Sequence, residues 1–224
     1  MKYIITFCLA FATFSSFAQR TIDREVGDFN EIKVFDLIEV NLIQSDENRI
    51  LIKGRNVDDI KWVNKDGTLK LRMELEKKFQ GEDTFIEVYY TKLNVIDGNE
   101  GARITCNEMV QKERIELRAQ EGAHINIGMD VSYAEMRAVT GGIIEASGLA
   151  ENQSIVINTG GIFDGRDLRT ATSDVKIQAG GEAEVFASDR IDINVKAGGD
   201  VTVYGQPKEV NKKTFIGGRI TIVD

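Results

Sequence analysis

A chain of 224 residues with a formal net charge of −8 and 42% hydrophobic residues is long enough for one large domain or two small ones. Its acidic balance argues against nucleic acid and anionic membrane surfaces as partners, because both demand compensating cations. Its two cysteines, Cys8 and Cys106, exclude a disulfide framework, so packing has to hold the fold.

Residues 1–18 read as a secretory signal peptide. Lys2 supplies the positive start, residues 3–14 an apolar stretch, and Ser16-Phe17-Ala18 sets small residues at −3 and −1 for cleavage before Gln19. The stretch is too short to span a membrane, and no later apolar run approaches the ~20 residues that a spanning helix needs. Cys8 lacks the small neighbour and the nearby Leu of a bacterial lipoprotein signal, so no lipid anchor is expected. The mature chain is therefore expected in the periplasm, on the outer-membrane surface or outside the cell, and not within a membrane. Cleavage leaves Cys106 as its single thiol.

Residues 19–93 form an N-terminal β segment with strand-like runs at 31–35, 38–43, 50–53, 68–75 and 85–90. Lys65-Asp66-Gly67 reads as a hairpin turn after Trp62 and Val63, and the charged run from Glu76 to Asp83 as a solvated loop. These strands are either irregular first coils or a small sheet covering the open N-terminal end of a larger β structure.

From residue 94 to 224 the chain repeats. Pairs of small residues fall at Gly101-Ala102, Gly122-Ala123, Gly141-Gly142, Gly160-Gly161, Gly180-Gly181, Gly198-Gly199 and Gly217-Gly218, at intervals of 21, 19, 19, 20, 18 and 19 residues. Downstream of each pair, apolar residues alternate with polar ones. The first such row is Ile104, Ile125, Ile144, Phe163, Ala183, Val201 and Ile220, and Cys106 opens the second. Upstream, Leu117/Ala119, Met136/Ala138, Ile155/Ile157, Val175/Ile177 and Ile193/Val195 do the same. Alternation of this kind marks half-buried strands, with the glycine pairs as corners where φ turns positive or a side chain would clash. A unit near 19 residues cannot bury its own apolar side, so copies stack and pair in parallel. The expected fold is an all-β, right-handed parallel β-helix of about seven coils. A second turn in each coil is expected near Gly128, Gly148, Ala187 or Gly205. Leucine-rich repeats fail for want of their leucine pattern, and a propeller for want of length.

The segments Gly27-Asp28-Phe29-Asn30-Glu31-Ile32-Lys33-Val34, Ile38-Glu39-Val40-Asn41-Leu42-Ile43-Gln44 and Asp66-Gly67-Thr68-Leu69-Lys70-Leu71, together with the glycine-pair repeats, resemble the putative auto-transporter adhesin, head GIN domain family. The resemblance covers nearly the whole mature chain and implies an exported β-helical domain of adhesin type, from a family without catalytic residues to carry over. No long C-terminal barrel of the auto-transporter kind is seen before Asp224, so literal auto-transport is not expected.

No residue pattern reads as a catalytic site. His124, the one histidine, is expected to point outward beside Ile125 without a nucleophile partner, and Cys106 falls in an interior row. The run from Gly160 to Asp167 superficially matches a calcium nonapeptide, but Phe163 stands where Gly is wanted and Gly165 where Asp is wanted. No cofactor and no metal are expected. Phe163, Phe186, Tyr133, Tyr204 and Phe215 do not share one repeat position, so no aromatic strip for sugars is expected. One outward face is more informative. Six residues before each pair stand Val95, Glu116, Glu135, Ser154, Asp174, Asp192 and Asn211, and four before stand Asp97, Arg118, Arg137, Val156, Lys176, Asn194 and Lys213. In register, these make an acidic row beside a basic row. Glu116, Arg118, Glu135, Arg137, Asp174 and Lys176 are the candidate interaction residues, set against an ordinary solvated face with exposed ion pairs. The function expected is non-catalytic binding of a protein or carbohydrate at the cell envelope, with a polysaccharide lyase or hydrolase and a purely structural component as alternatives. The final strand after Gly217-Gly218 is expected to pair with a second copy, giving a homo-oligomer, or to be covered by the N-terminal strands.

Overall fold

The computed structural model describes residues 20–223, so the expected signal peptide lies outside the described residues. The chain forms β1 (Thr21–Glu25), β2 (Glu31–Val34), β3 (Glu39–Gln44), β4 (Arg49–Gly54), β5 (Ile60–Lys65), β6 (Thr68–Met73), β7 (Thr84–Tyr90), β8 (Val95–Gly98) and β9 (Arg103–Gln120). Next come β10 (His124–Val139), β11 (Ile143–Asn158), β12 (Ile162–Gly165), β13 (Leu168–Ile177), β14 (Glu182–Phe186), β15 (Arg190–Ala197), β16 (Asp200–Tyr204), β17 (Glu209–Ile216) and β18 (Arg219–Ile222). Two 3-10 turns, Val57–Asp59 and Leu75–Lys77, interrupt the N-terminal part.

The architecture is an all-β solenoid of stacked parallel coils. Arg103, His124, Ile143, Ile162, Glu182, Asp200 and Arg219, each the residue after a small-residue pair, are successive partners in one parallel ladder. The seven pairs therefore line one edge of the stack. Their corners are of two kinds. Thr140 and Gly141 are both left-handed (φ 51° and 73°) and the Gly142 N–H closes onto the Val139 carbonyl at 2.9 Å, a turn with φ positive at both central positions. From residue 180 onward both glycines of the pair take positive φ instead.

Inside the coils the alternation becomes burial. Ile104, Ile125, Ile144, Phe163, Ala183 and Val201 form one interior row, and Leu117, Met136, Ile155, Val175 and Ile193 another, all buried. Each of these side chains larger than alanine contributes roughly 1.5–3 kcal/mol by leaving water. Gly165 breaks its row because the Phe163 ring fills the space a Cβ would need, 2.3 Å away. Cys106 is buried, as its row predicts.

The expected second turn holds in the later coils, where β14 ends at Phe186 before Ala187 and β16 at Tyr204 before Gly205, and is corrected in the earlier ones. β9, β10 and β11 run unbroken through it, and residues such as Val110, Met129, Val131, Ala150 and Leu168 form a short buried side between the two long ones. The interior phase slips there, from Val131 to Ala134, which bends the strand without ending it. Gln153, Thr170 and Ser173 are buried beside this bend. The Gln153 amide nitrogen donates to Thr170 Oγ1 (3.1 Å), Ser173 Oγ (2.8 Å) and the Phe186 carbonyl (3.2 Å), while Gln153 Oε1 has no hydrogen-bond partner among the described residues.

The N-terminal strands stack out of chain order. β2 lies between β6 and β8, and β3 between β7 and β9, so the first coil sits inside strands that come after it in sequence. Beyond them, β4 is antiparallel to β7, β1 to β4, and β5 to β6, the last through the Asp66-Gly67 turn. These strands close the end opposite β17 and β18. They cannot cover the last strand, and that expectation is overturned. Among the described residues nothing pairs with the outer edges of β17 and β18.

Candidate binding site on the charged side

The side that precedes the glycine corner carries the two predicted rows, and the ladder puts them in register. Glu31, Val95, Glu116, Glu135, Ser154, Asp174, Asp192 and Asn211 are successive partners. Lys33, Asp97, Arg118, Arg137, Val156, Lys176, Asn194 and Lys213 run beside them. Period-two alternation points both rows outward, while Leu117, Met136 and their successors point in.

The two halves of this side differ. Toward the N-terminal end the charges close on one another. Asp97, with a side chain only 4% exposed, takes Lys33 at 3.2 Å and Arg118 at 3.9 Å, and Arg118 Nε donates to Glu116 at 2.6 Å. Asn99 and Gln120 complete the hydrogen bonds of Asp97. Burial opposes ionisation of Glu31, yet hydrogen bonds from Lys33 and Thr68 hold its carboxyl below the ordinary value. This half is satisfied internally.

Toward the C-terminal end the same rows line two adjoining depressions. One, of about 630 Å³, is lined by Asp174, Lys176, Asp192, Asn194, Asn211 and Lys213 among others. The next, of about 420 Å³, shares Asp174, Lys176 and Asp192 and adds Tyr133, Asn152, Thr172 and Arg190. Lys176 pairs with Asp174 at 3.0 Å and Arg190 with Asp192 at 2.8 Å. The Arg190 hydrogen bond, the largest influence, holds the Asp192 carboxyl below its ordinary value. Among the described residues Lys213 and Arg137 carry no ion pair. Of the six candidate interaction residues, Glu116 and Arg118 belong to the closed half, Glu135 pairs with Arg114 at 2.7 Å, and Asp174 and Lys176 line the depressions.

The aromatic residues need a correction. Phe186 and Tyr204 do share a repeat position: they are partners in the β14–β16 ladder, each five residues beyond the second glycine of its pair. Counting every outward position from the glycines, rather than the charged ones alone, is the signal that finds them. With Arg166, Asp167, Arg169, Gly205, Gln206 and Val223 they line a separate depression of about 450 Å³.

The geometry is that of a repetitive outer surface built on stacked coils. The sequence matches the family described as putative auto-transporter adhesin, head GIN domain, over residues 28–207. The chain belongs to this family. No curated protein matches it. Among solved structures, the head GIN domain here is similar to a putative adhesin of Bacteroides fragilis, with TM-score 0.84 and 20% identity over 93% of this chain and 98% of that one. A putative adhesin of Parabacteroides distasonis gives TM-score 0.73 and 20% identity, covering 92% of this chain and 97% of that one. A putative lipid binding protein of the same organism gives 0.69 and 18%, covering 92% and 97%. At these identities the likeness establishes the fold.

Elsewhere in the head GIN domain, His124 Nε2 lies 3.2 Å from Glu145 Oε1, off the line of a hydrogen bond. Burial pushes the Cys106 thiol up, as befits an interior residue. Among the described residues no group of three or more His, Cys, Asp or Glu is disposed to hold a metal, and no helix is long and apolar enough to cross a membrane.

Proposed function

We propose that this head GIN domain is exported and acts as a non-catalytic binding module at the cell envelope, taking a protein or carbohydrate ligand on the C-terminal half of its charged side. The carrying observation is the pair of adjoining depressions that share Asp174, Lys176 and Asp192. A rigid ladder holds their outward side chains at the fixed spacing of stacked strands, an arrangement suited to an extended ligand. The family's description as adhesins supports the reading. So does the state of the carboxylates: Asp174 and Asp192 are each tied to a cation, and neither is placed as the proton donor that glycoside hydrolysis requires.

The test is a ligand array of envelope glycans and proteins probed with the purified chain lacking residues 1–18, beside Lys176→Ala and Asp192→Asn variants. A ligand held by the parent and released by both variants is the expected result. Retention by both variants, or turnover of any glycan, sinks the reading. Cell fractionation that leaves the full-length chain in the cytoplasm sinks its export.

A further inference from the structure

The separate depression at Phe186 and Tyr204 has a chemistry of its own. Its two rings are ladder partners on adjacent coils, and each carries a guanidinium: Arg169 Cζ stands 4.4 Å from the Phe186 centroid and Arg166 Cζ 5.2 Å from that of Tyr204. The two arginines are not equivalent. Arg166 donates through Nε to Glu184 at 2.8 Å, and Tyr204 Oη donates to the same carboxylate oxygen at 3.3 Å, so Arg166 is spent on bracing Tyr204. Arg169 is exposed and has no ion pair among the described residues. Stacking occupies the face of its guanidinium, leaving its edge N–H groups for a planar anion.

Around Arg169 the lining is mixed. Gly205 lies so close to Phe186 that a Cβ would meet the ring at 2.6 Å, and with the rings and Val223 it supplies the apolar part of the lining. Asp167 and Gln206 belong to the same lining. Asp167 accepts hydrogen bonds from hydroxyl groups. A ligand suited to all of these features carries a carboxylate for Arg169, hydroxyls for Asp167 and Gln206, and an apolar C–H face for the rings.

We propose that Arg169, Phe186, Tyr204 and Gln206 form a binding site for an acidic saccharide, a uronate unit of a longer glycan. This site shares no lining residue with the charged-side depressions, so it stands or falls independently of them.

The experiment is calorimetric titration of the purified chain with oligogalacturonate and with a neutral cello-oligosaccharide of the same length. Oligogalacturonate is expected to bind more tightly by about tenfold or more, as losing one charge-assisted pair requires. Arg169→Gln, at an exposed position, is expected to abolish that preference with an unchanged Tm, and Lys176→Ala to preserve it. Equal binding of the two saccharides, binding of neither, or an Arg169→Gln variant that keeps the preference overturns the site. Loss of oligogalacturonate in Lys176→Ala alone transfers the ligand to the charged side and overturns it equally.

Discussion

Gly148 has φ 105°, and a Cβ there would sit 2.1 Å from the Met129 carbonyl oxygen. A Cβ on Gly122, at φ 77°, would meet nothing within 4 Å. The two glycines answer different demands. Gly122 is needed only for its left-handed backbone, so Gly122→Ala should cost ~1 kcal/mol. Gly148 is needed for backbone and space together, since the neighbouring strand passes where its side chain would be. Gly148→Ala should cost about 3 kcal/mol or more, adding steric displacement to the same conformational penalty. Urea denaturation of the two variants checks the order. A second single-residue effect sits where the first coil meets the next. Asp36 is fully buried with Oδ2 accepting the Met73 N–H at 3.0 Å, while Oδ1 has no hydrogen-bond partner among the described residues. Burial first, and then Asp36 beside it, push the Glu100 carboxyl above its ordinary value, with Glu121 adding to the shift and Lys78 partly offsetting it. A raised folded value means that folding favours the protonated form. The stability Glu100 contributes is whole below its ordinary range and is lost as pH rises through the raised one. Glu100→Gln should therefore be more stable than the parent at about pH 8, with the gap closing toward about pH 4, in paired denaturant titrations. Glu31 has the opposite sign: its stabilisation is present above its ordinary value and disappears as pH falls through the lowered one.

Each strand's worth depends on its place in the stack. Ile125 and Ile220 occupy the same position in the repeat, yet Ile125 is fully buried between β9 and β11, whereas Ile220, in β18, has a coil on one side only. Ile125→Asp buries a charge without a partner and should abolish cooperative unfolding, a loss well beyond the ~4 kcal/mol that marks severe mutations. Ile220→Asp leaves its carboxylate near water and should keep the cooperative transition. Near-ultraviolet circular dichroism through a thermal ramp distinguishes the two. Nearest-neighbour stacking also explains how much of the solenoid was legible in the sequence. The glycine spacing carried the register of β9 through β18, because a coil in contact only with its neighbours must repeat what it needs. The charged rows came with that register, as did the interior place of Cys106. The N-terminal stacking was hidden because β2 and β3 pair with β6, β7, β8 and β9, strands far along the chain, and no local period records such a pairing. β1 and β8 are short, and β8 carries Asp97 and Gly98 where apolar residues would have announced it. In β10 and β11 the turn expected at Gly128 and Gly148 is a bend inside one continuous strand, because both glycines stay paired in the ladder. Phe186 and Tyr204 escaped because two residues in register are a weak signal until the coils are aligned.

A stack of coils has two ends, and in this chain they are finished differently. The N-terminal end is folded back on itself by antiparallel pairs, whereas among the described residues the C-terminal coil has unpaired backbone edges and exposed apolar side chains, with Phe215 at 79% and Ile216 at 63%. An open edge invites further pairing. The interior row that runs Leu117, Met136, Ile155, Val175 and Ile193 reaches Lys212 in register in β17, an exposed charge at the place where another coil would stack. Antiparallel pairing of two β17 strands about their midpoint sets Lys212 and Lys213 against the same lysines of a second copy, which opposes association. Coils near the end are held from one side only, so amide exchange should be fastest in β17 and β18 and slowest in β10 and β11, as nearest-neighbour stacking dictates. Removing the charge should also uncover the edge: Lys212→Ile restores the aliphatic row and is expected to make sedimentation depend on concentration where the parent's does not. An unchanged sedimentation profile for Lys212→Ile would mean that Lys213 and the other side chains of the last coil block the edge without Lys212.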